Sequence, residues 1–203
     1  LPLFLLDLAT VQGMYVGQTE EQFKNALKTA EHVAPCVLWI DEIEKGLAGV
    51  NESSGVTSRM IGQFLFWLQE CQKEVFVVAT ANNVDNLPAE LLRKGRFDEM
   101  FFVDLPNDNE RKEIISMYLN KYLGVKVDDT LMSELITKSE GFASSDIESA
   151  IRDISYNIVA DNIKLTRAYL LECFDKCYSI SKINPEKIDK IRQWGKGRTI
   201  NAS

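Results

Sequence analysis

Four consecutive apolar residues, Val37-Leu38-Trp39-Ile40, run between Pro35 and a pair of acids, Asp41 and Glu42. The run shows no alternation of polar and apolar positions, so it reads as a parallel strand covered on both faces. Similar short runs recur at Leu3–Leu8, Val75–Thr80 and Met100–Val103. Stretches of helical period separate the first of them, which predicts an α/β layer built on a parallel sheet from residue 1 to about 105. In "TEEQFKNALKTAEHV", Thr19 and Gln22 stand in capping-box register, and Phe23, Ala26, Leu27 and Ala30 share one face before Pro35 stops the segment. A second helix is predicted over Thr57–Gln72, with Met60, Ile61, Phe64, Leu65 and Leu68 facing inward.

Beyond Pro106 the strand pattern ends. "NDNERKEIISMYLNKYL" opens on capping and acidic residues and continues with helical period. "SSDIESAIRDISYNIV" puts Ser145 and Glu148 in capping-box register, with Ile147, Ile151, Ile154 and Ile158 along one stripe. Thr166 is expected to cap a helix reaching about Cys177, and Asn184 with Pro185 to open a last short one. The expected organisation is an α/β part over residues 1–105, a helical lobe over 106–180, and a short helix with a tail over 181–203. That tail reads as a contact for a partner or neighbour, or as a helix packed on the lobe followed by a frayed end.

At 203 residues the chain suits one domain with a small lobe, and 45% hydrophobic with 26% charged residues is a globular composition. A net charge of -7 weighs against broad binding to nucleic acid or an anionic membrane. No apolar run approaches the ~20 residues of a membrane helix. The opening "LPLFLLDLA" has no basic leader and carries Asp7, so it does not read as a signal peptide. Cysteines stand at 36, 71, 173 and 177 without a C-x-x-C pair; Cys173 and Cys177 are one helical turn apart, and the single His32 is far from them in sequence. Buried free thiols in a reducing, cytoplasmic compartment are expected rather than a zinc site. His32, near a predicted helix end, reads as a dipole partner or plain surface.

The chemistry gathers where the strands end. Open α/β sheets place ligands at the carboxyl edge of their strands, where Asp41 and Glu42 fall. Asp41 suits Mg²⁺, an ion that takes one or two carboxylates plus phosphate oxygens. Glu42 suits a group that orients water for in-line attack on a γ-phosphate. Two acids after a strand also read as a plain turn. "VFVVATANN" brings Asn82 and Asn83 to the next tip, where an amide holds an attacking water or touches the γ-phosphate, or simply belongs to a polar turn. In "LPAELLRKGRFD", Arg93 and Arg96 flank Lys94-Gly95, either as solvated surface or as donors to a transition-state phosphate.

Taken in order, "GMYVGQTEEQ", "APCVLWIDEI", "VVATANNVDNLPAELLRKGRFDE", "FFVDLPNDNER" and "GFASSDIESAI" resemble the AAA family of ATPases, the AAA+ branch whose members form rings and remodel proteins. The resemblance implies a P-loop NTPase-like parallel sheet followed by a small all-helical lid. It also implies ATP and Mg²⁺ as cofactors, a hexameric ring of the same chain, and a protein substrate remodelled or threaded. By resemblance, Asp41 and Glu42 form the Walker B pair, with Asp41 the magnesium residue, and Asn82 is sensor 1. Arg93 and Arg96 are arginine fingers reaching a neighbouring subunit, and Ser144 and Ser145 lie beside the adenine. "MYVG" matches the first pore loop, with Tyr15 gripping the substrate between Gly13 and Gly17, and Lys45–Ser58 matches the second. More narrowly, "APCVLWIDEIEKG", "TANNV" and the tail "IRQWGKGR…NAS" are similar to AAA proteins encoded in cyanobacteria and algal plastid genomes, which would place an organelle-encoded copy in the plastid stroma.

Two departures shape the expectation. The lid stretch reads Ala143-Ser144-Ser145-Asp146, with serines where the family has smaller residues, and no arginine follows in the first turn of that helix. No G-x-x-x-x-G-K-[ST] occurs, so the phosphate-cradling loop and the strand before it are expected upstream of Leu1. The sheet would then be incomplete, with the edges of Val75–Thr80 and Phe101–Val103 unpaired, and this chain alone would bind nucleotide poorly or not at all. The two functional readings are a magnesium-dependent ATPase that remodels proteins and an AAA-shaped scaffold that does not hydrolyse. With no H-E-x-x-H and one histidine, a peptidase reading is weaker.

Overall fold

The computed structural model describes residues 1–8, 16–47, 55–93 and 95–202. They fall into two compact units, Leu1–Met100 and Phe101–Ser203. In the first, β1 (Leu3–Leu6), β2 (Cys36–Ile40) and β3 (Val75–Ala79) form a parallel sheet in the order β1-β2-β3. Register pairs Leu6 with Ile40 and Ile40 with Ala79, so the three strands end level. Among the described residues this unit has the α-helices α1 (Val16–His32), the short α2 (Ile43–Leu47) and α3 (Gly55–Glu70).

One face of the sheet makes the core. Leu6, Cys36, Leu38 and Ile40 are buried with Phe23, Leu27 and Ala30 of α1 and Met60, Ile61, Phe64 and Leu65 of α3. Phe23 meets Phe64 edge-on at 6.0 Å, and Trp67 Nε1 donates to Glu31 Oε1 at 2.7 Å. The expectation of burial on both faces is corrected. Leu3, Leu5, Phe76 and Val78, which share the opposite face by register, are exposed, while Val37 and Trp39 on that face are half-buried. A run without polar alternation cannot distinguish a covered face from an apolar one left open, because composition is the same in both.

Boundaries moved where backbone geometry overrode local pattern. β1 stops at Leu6 rather than Leu8, and α1 spans Val16–His32, so Thr19 lies within the helix instead of at its cap. His32 Nδ1 lies 2.7 Å from the carbonyl of Lys28, closing the last turn of α1.

The second unit holds β4 (Phe101–Phe102), α4 (Asp108–Tyr118), α5 (Asp129–Lys138), α6 (Ser144–Ala160), α7 (Arg167–Lys176), α8 (Ile180–Ile183), α9 (Pro185–Gly195) and β5 (Ile200–Asn201). Asn107 and Glu110 make a reciprocal capping box at α4, and Thr166 Oγ1 accepts the Tyr169 N–H at the start of α7. The core includes Ile115, Leu135, Phe142, Ile147, Ile151 and Phe174, with Phe142 and Phe174 stacked at 6.3 Å. Helix α5 has no counterpart in the sequence expectation. Its signal was present in Asp128, which caps Leu131, and in the Leu131, Met132, Leu135 spacing.

Two expectations about this unit are corrected. The cap of α6 is not the Ser145–Glu148 pair: the helix starts at Ser144, and Asp146 Oδ2 accepts from Ala143 N–H at 2.9 Å and Ile180 N–H at 3.1 Å. Glu148 instead accepts from Tyr122 at 2.5 Å, Tyr118 at 3.2 Å and Lys121 at 3.4 Å. The tail is not frayed. β5 pairs in parallel with β4, which therefore joins the tail and not the three-stranded sheet. Arg192 Nε lies 2.9 Å from both carboxylate oxygens of Asp104, and a Cβ on Gly195 would come within 3.2 Å of the Phe102 ring.

Close approach makes Gly46 indispensable. A Cβ built there would lie 2.1 Å from the Leu8 Cβ, an atom fixed to the backbone. Gly46→Ala is expected to lower stability by about 1–3 kcal/mol, seen as a lower urea midpoint at an unchanged slope. In the second unit, the Tyr122 hydroxyl first, then Lys121 and Tyr118, holds the Glu148 carboxyl below its ordinary value of 4.5. The folded form therefore binds that proton less readily than the unfolded chain. Its contribution is complete above pH 4.5 and lost as pH falls through the folded value. Glu148→Gln is expected to flatten the acid side of the stability profile, measured by urea unfolding at a series of pH values.

Candidate functional site

β2 and β3 end level, so the residues after Ile40 and after Ala79 emerge side by side at one edge of the sheet. Thr80 N–H donates to the Ile40 carbonyl at 3.0 Å and its carbonyl accepts Ile43 N–H at 2.9 Å. Between them the chain turns through Glu42, whose φ of 48° is left-handed. For a residue with a Cβ that conformation costs on the order of 1–3 kcal/mol and persists only where neighbours hold it. The Glu42 N–H donates to Thr80 Oγ1 at 3.0 Å, and its carbonyl accepts Lys45 N–H at 2.8 Å. Helix α2 starts at the next residue.

The side chains converge in the same place. Thr80 Oγ1 donates to Asp41 Oδ1 at 2.5 Å. Asn82 Nδ2 donates to Glu42 Oε1 at 3.0 Å, and Asn82 N–H donates to Glu44 Oε1 at 3.0 Å. The ammonium of Lys45 pairs with Glu42 Oε2. That hydrogen bond is the main cause that raises the Lys45 pKa above its ordinary value. Both Glu42 oxygens are thus engaged, whereas Asp41 Oδ2 has no partner among the described residues.

Asn83 is separate from this cluster. Its Oδ1 accepts Asp85 N–H at 3.1 Å and caps the 3-10 turn Val84–Asn86, which leaves Asn82 as the amide facing the acids. Arg93 is exposed and its guanidinium has no partner among the described residues. Arg96 Nη1 donates to the Glu90 carbonyl, and Gly95 at φ 89° supplies the left-handed turn between the two arginines. Neither guanidinium touches Asp41, Glu42 or Asn82. Ser144 and Ser145 are the first two residues of α6, in the second unit, and both are exposed. Tyr15 and Gly13 lie outside the described residues, as do residues 48–54 of the Lys45–Ser58 segment; Gly17 falls within α1.

Sequence reasoning missed Thr80, Glu44 and the Lys45 contact. Thr80 is the one polar, β-branched residue between "VFVVA" and Asn82, which is a usable signal at a strand tip. Glu44 carried no sign of burial, yet it is only 2% exposed. Its Oε2 is buried without a partner among the described residues.

Among the described residues no group of three or more His, Cys, Asp or Glu side chains is gathered as a metal cage. Mg²⁺ held with a nucleotide needs no such cage, since one or two carboxylates and phosphate oxygens suffice. Asp41, exposed and with one oxygen unpartnered, fits that demand.

Residues 1–105 match the model of the ATPase family associated with various cellular activities (AAA). The chain belongs to the AAA family of ATPases. It is 37% identical over 203 residues to the uncharacterized AAA domain-containing protein ycf46 of Guillardia theta, covering 98% of this chain and 40% of that protein. It is 38% identical over 199 residues to the protein of the same name in Gracilaria tenuistipitata var. liui, covering 96% and 40%. The cell division cycle protein 48 homolog of Archaeoglobus fulgidus is 32% identical over 186 residues, covering 88% and 25%. The chain therefore spans about two-fifths of the length of its ycf46 relatives. The crystal structure of the FIGL-1 AAA domain shares the fold, with a TM-score of 0.73, 19% identity, and coverage of 97% of this chain and 68% of that one. The α/β sheet with a helical lid expected from sequence is thus the fold observed. No helix among the described residues is long and apolar enough to cross a membrane.

Glu44 is the least comfortable group of the site. Glu44→Gln keeps an acceptor for the Asn82 N–H and carries no charge to desolvate, so it is expected to be at least as stable as the parent in urea unfolding. Glu44→Ala removes the acceptor and is expected to cost about 1–3 kcal/mol.

Proposed function

We propose that this chain carries the Walker B, sensor 1 and arginine-finger half of an ATPase site that hydrolyses ATP with Mg²⁺. The observation that carries the reading is the 3.0 Å hydrogen bond from Asn82 Nδ2 to Glu42 Oε1, beside the Asp41 oxygen that has no partner among the described residues. In this reading Asp41 holds Mg²⁺, which neutralises charge on the phosphates when bound. Glu42 orients the attacking water and Asn82 fixes its carboxylate. The exposed Arg93, unpartnered among the described residues, with Arg96 beside it, acts on the γ-phosphate of a neighbouring subunit, in a hexameric ring of the same chain. Ser144 and Ser145 face the adenine from the start of α6. Tyr15 grips a protein substrate that the ring remodels or threads. A FIGL-1 AAA domain has been crystallised with ADP, which supports nucleotide as the ligand class. The phosphate-cradling loop would come from sequence outside this chain.

One observation favours a second reading, a non-hydrolysing AAA scaffold: both oxygens of Glu42 are occupied, one by Asn82 and one by Lys45. The Lys45 side chain is 61% exposed, and an ion pair so open to water is weak enough to yield to a ligand. In the full-length gene product, Glu42→Gln is expected to retain ATP binding while phosphate release falls to background. Phosphate release equal to wild type in that variant sinks the assignment of Glu42, and a wild type that never releases phosphate favours the scaffold.

A further inference from the structure

The proposed site contains a hydroxyl to which that reading gives no task. Thr80 is the first residue beyond β3, and among the described residues its side chain alone hydrogen-bonds to both acids. Its Oγ1 gives its single proton to Asp41 Oδ1 at 2.5 Å and accepts the Glu42 N–H at 3.0 Å. Its backbone is bonded independently, to Ile40 and Ile43. The strand register therefore does not depend on the hydroxyl, and the hydroxyl is left to fix the two carboxylate-bearing residues relative to each other.

We propose that Thr80 is a positioning residue for ATP hydrolysis, setting the side chain of Asp41 and the backbone of Glu42 through one hydroxyl group; this rests on the ATPase reading above. Two features of the chemistry require such a group. With Oδ1 engaged, Asp41 is held in one orientation and Oδ2 is the oxygen left for a hydrated cation. Glu42 sits at φ 48°, and the Thr80 oxygen is the side-chain acceptor for its N–H. Without that acceptor the Glu42 backbone relaxes toward an ordinary conformation, and its carboxylate leaves the Asn82 amide. Threonine suits the place because its β-branch restricts χ1, so the hydroxyl is presented with little rotamer freedom to lose. Valine has the same shape without either hydrogen bond, and serine keeps both with a freer side chain.

The test uses Thr80→Val, Thr80→Ala and Thr80→Ser in the full-length gene product. It measures ATP turnover, ATP affinity with Mg²⁺ and with the metal chelated, and thermal unfolding. Thr80→Val is expected to bind metal-free ATP as the wild type does, to lose the gain in affinity that Mg²⁺ brings, and to lose about 10- to 100-fold in kcat, the range found when a partner that orients a metal ligand is removed. Thr80→Ser is expected to restore both the magnesium gain and most of the turnover. Should valine fold poorly, alanine removes the same two hydrogen bonds and stands in for it. Unchanged kcat and unchanged magnesium gain in the valine or alanine variant overturn the proposal, as does failure of serine to rescue. A wild type that gains affinity with Mg²⁺ but releases no phosphate removes the ATPase reading, and with it the task proposed for Thr80. A wild type without any magnesium gain overturns both.

Discussion

Everything at the candidate site depends on the parallel pairing of β2 with β3. Because Ile40 lies opposite Ala79, two acids and a threonine–alanine–asparagine sequence leave the sheet at the same height. A shift of one residue would turn the buried Leu38 and Ile40 to the open face and carry Asp41 away from Thr80. The register is enforced from below by the burial of Cys36, Leu38 and Ile40 against α1 and α3. Hydrophobic packing, not the polar groups themselves, sets the geometry of the chemistry.

Above that base the polar groups are coupled. Thr80 links Asp41 to Glu42, Asn82 links Glu42 to Glu44, and Lys45 closes the arrangement on the remaining Glu42 oxygen. Glu44 is the cost of the design, a buried carboxylate with one oxygen satisfied by a backbone N–H and one unpartnered among the described residues. The left-handed backbone at Glu42 is the second cost. Both are of the kind that proteins concentrate at functional sites, where a surrounding fold over-determines a locally unfavourable geometry. The engagement of both Glu42 oxygens means that a water-orienting role requires one of them to be released, and the exposed Lys45 is the contact that gives way more easily.

The helical unit shows a similar division between pattern and packing. The apolar stripe of α6 was legible in Ile147, Ile151 and Ile154, all buried, and the caps at Asn107 and Thr166 were legible because a cap is a local hydrogen bond. What Glu148 and Asp146 do was not. Helical spacing placed Ser145 and Glu148 as a capping pair, but Glu148 is drawn to Tyr118, Tyr122 and Lys121, some 30 residues away, and Asp146 takes the cap. The pairing of β5 with β4 was hidden for the same reason, since a two-residue strand has almost no periodicity of its own.

Sequence by itself determined the class of fold, the strand tips as the place of chemistry, and the AAA membership, because runs of apolar residues and ordered motifs are properties of the chain. It also brought Asp41, Glu42 and Asn82 forward as a set. Tertiary structure alone decided that the Asn82 amide bonds the Glu42 carboxylate, that Glu44 is buried, and that one face of the sheet remains open among the described residues. It alone drew in Thr80. These outcomes turn on distances of a few ångströms between residues some 40 positions apart, fixed by strand register and core packing, and no local pattern encodes such distances.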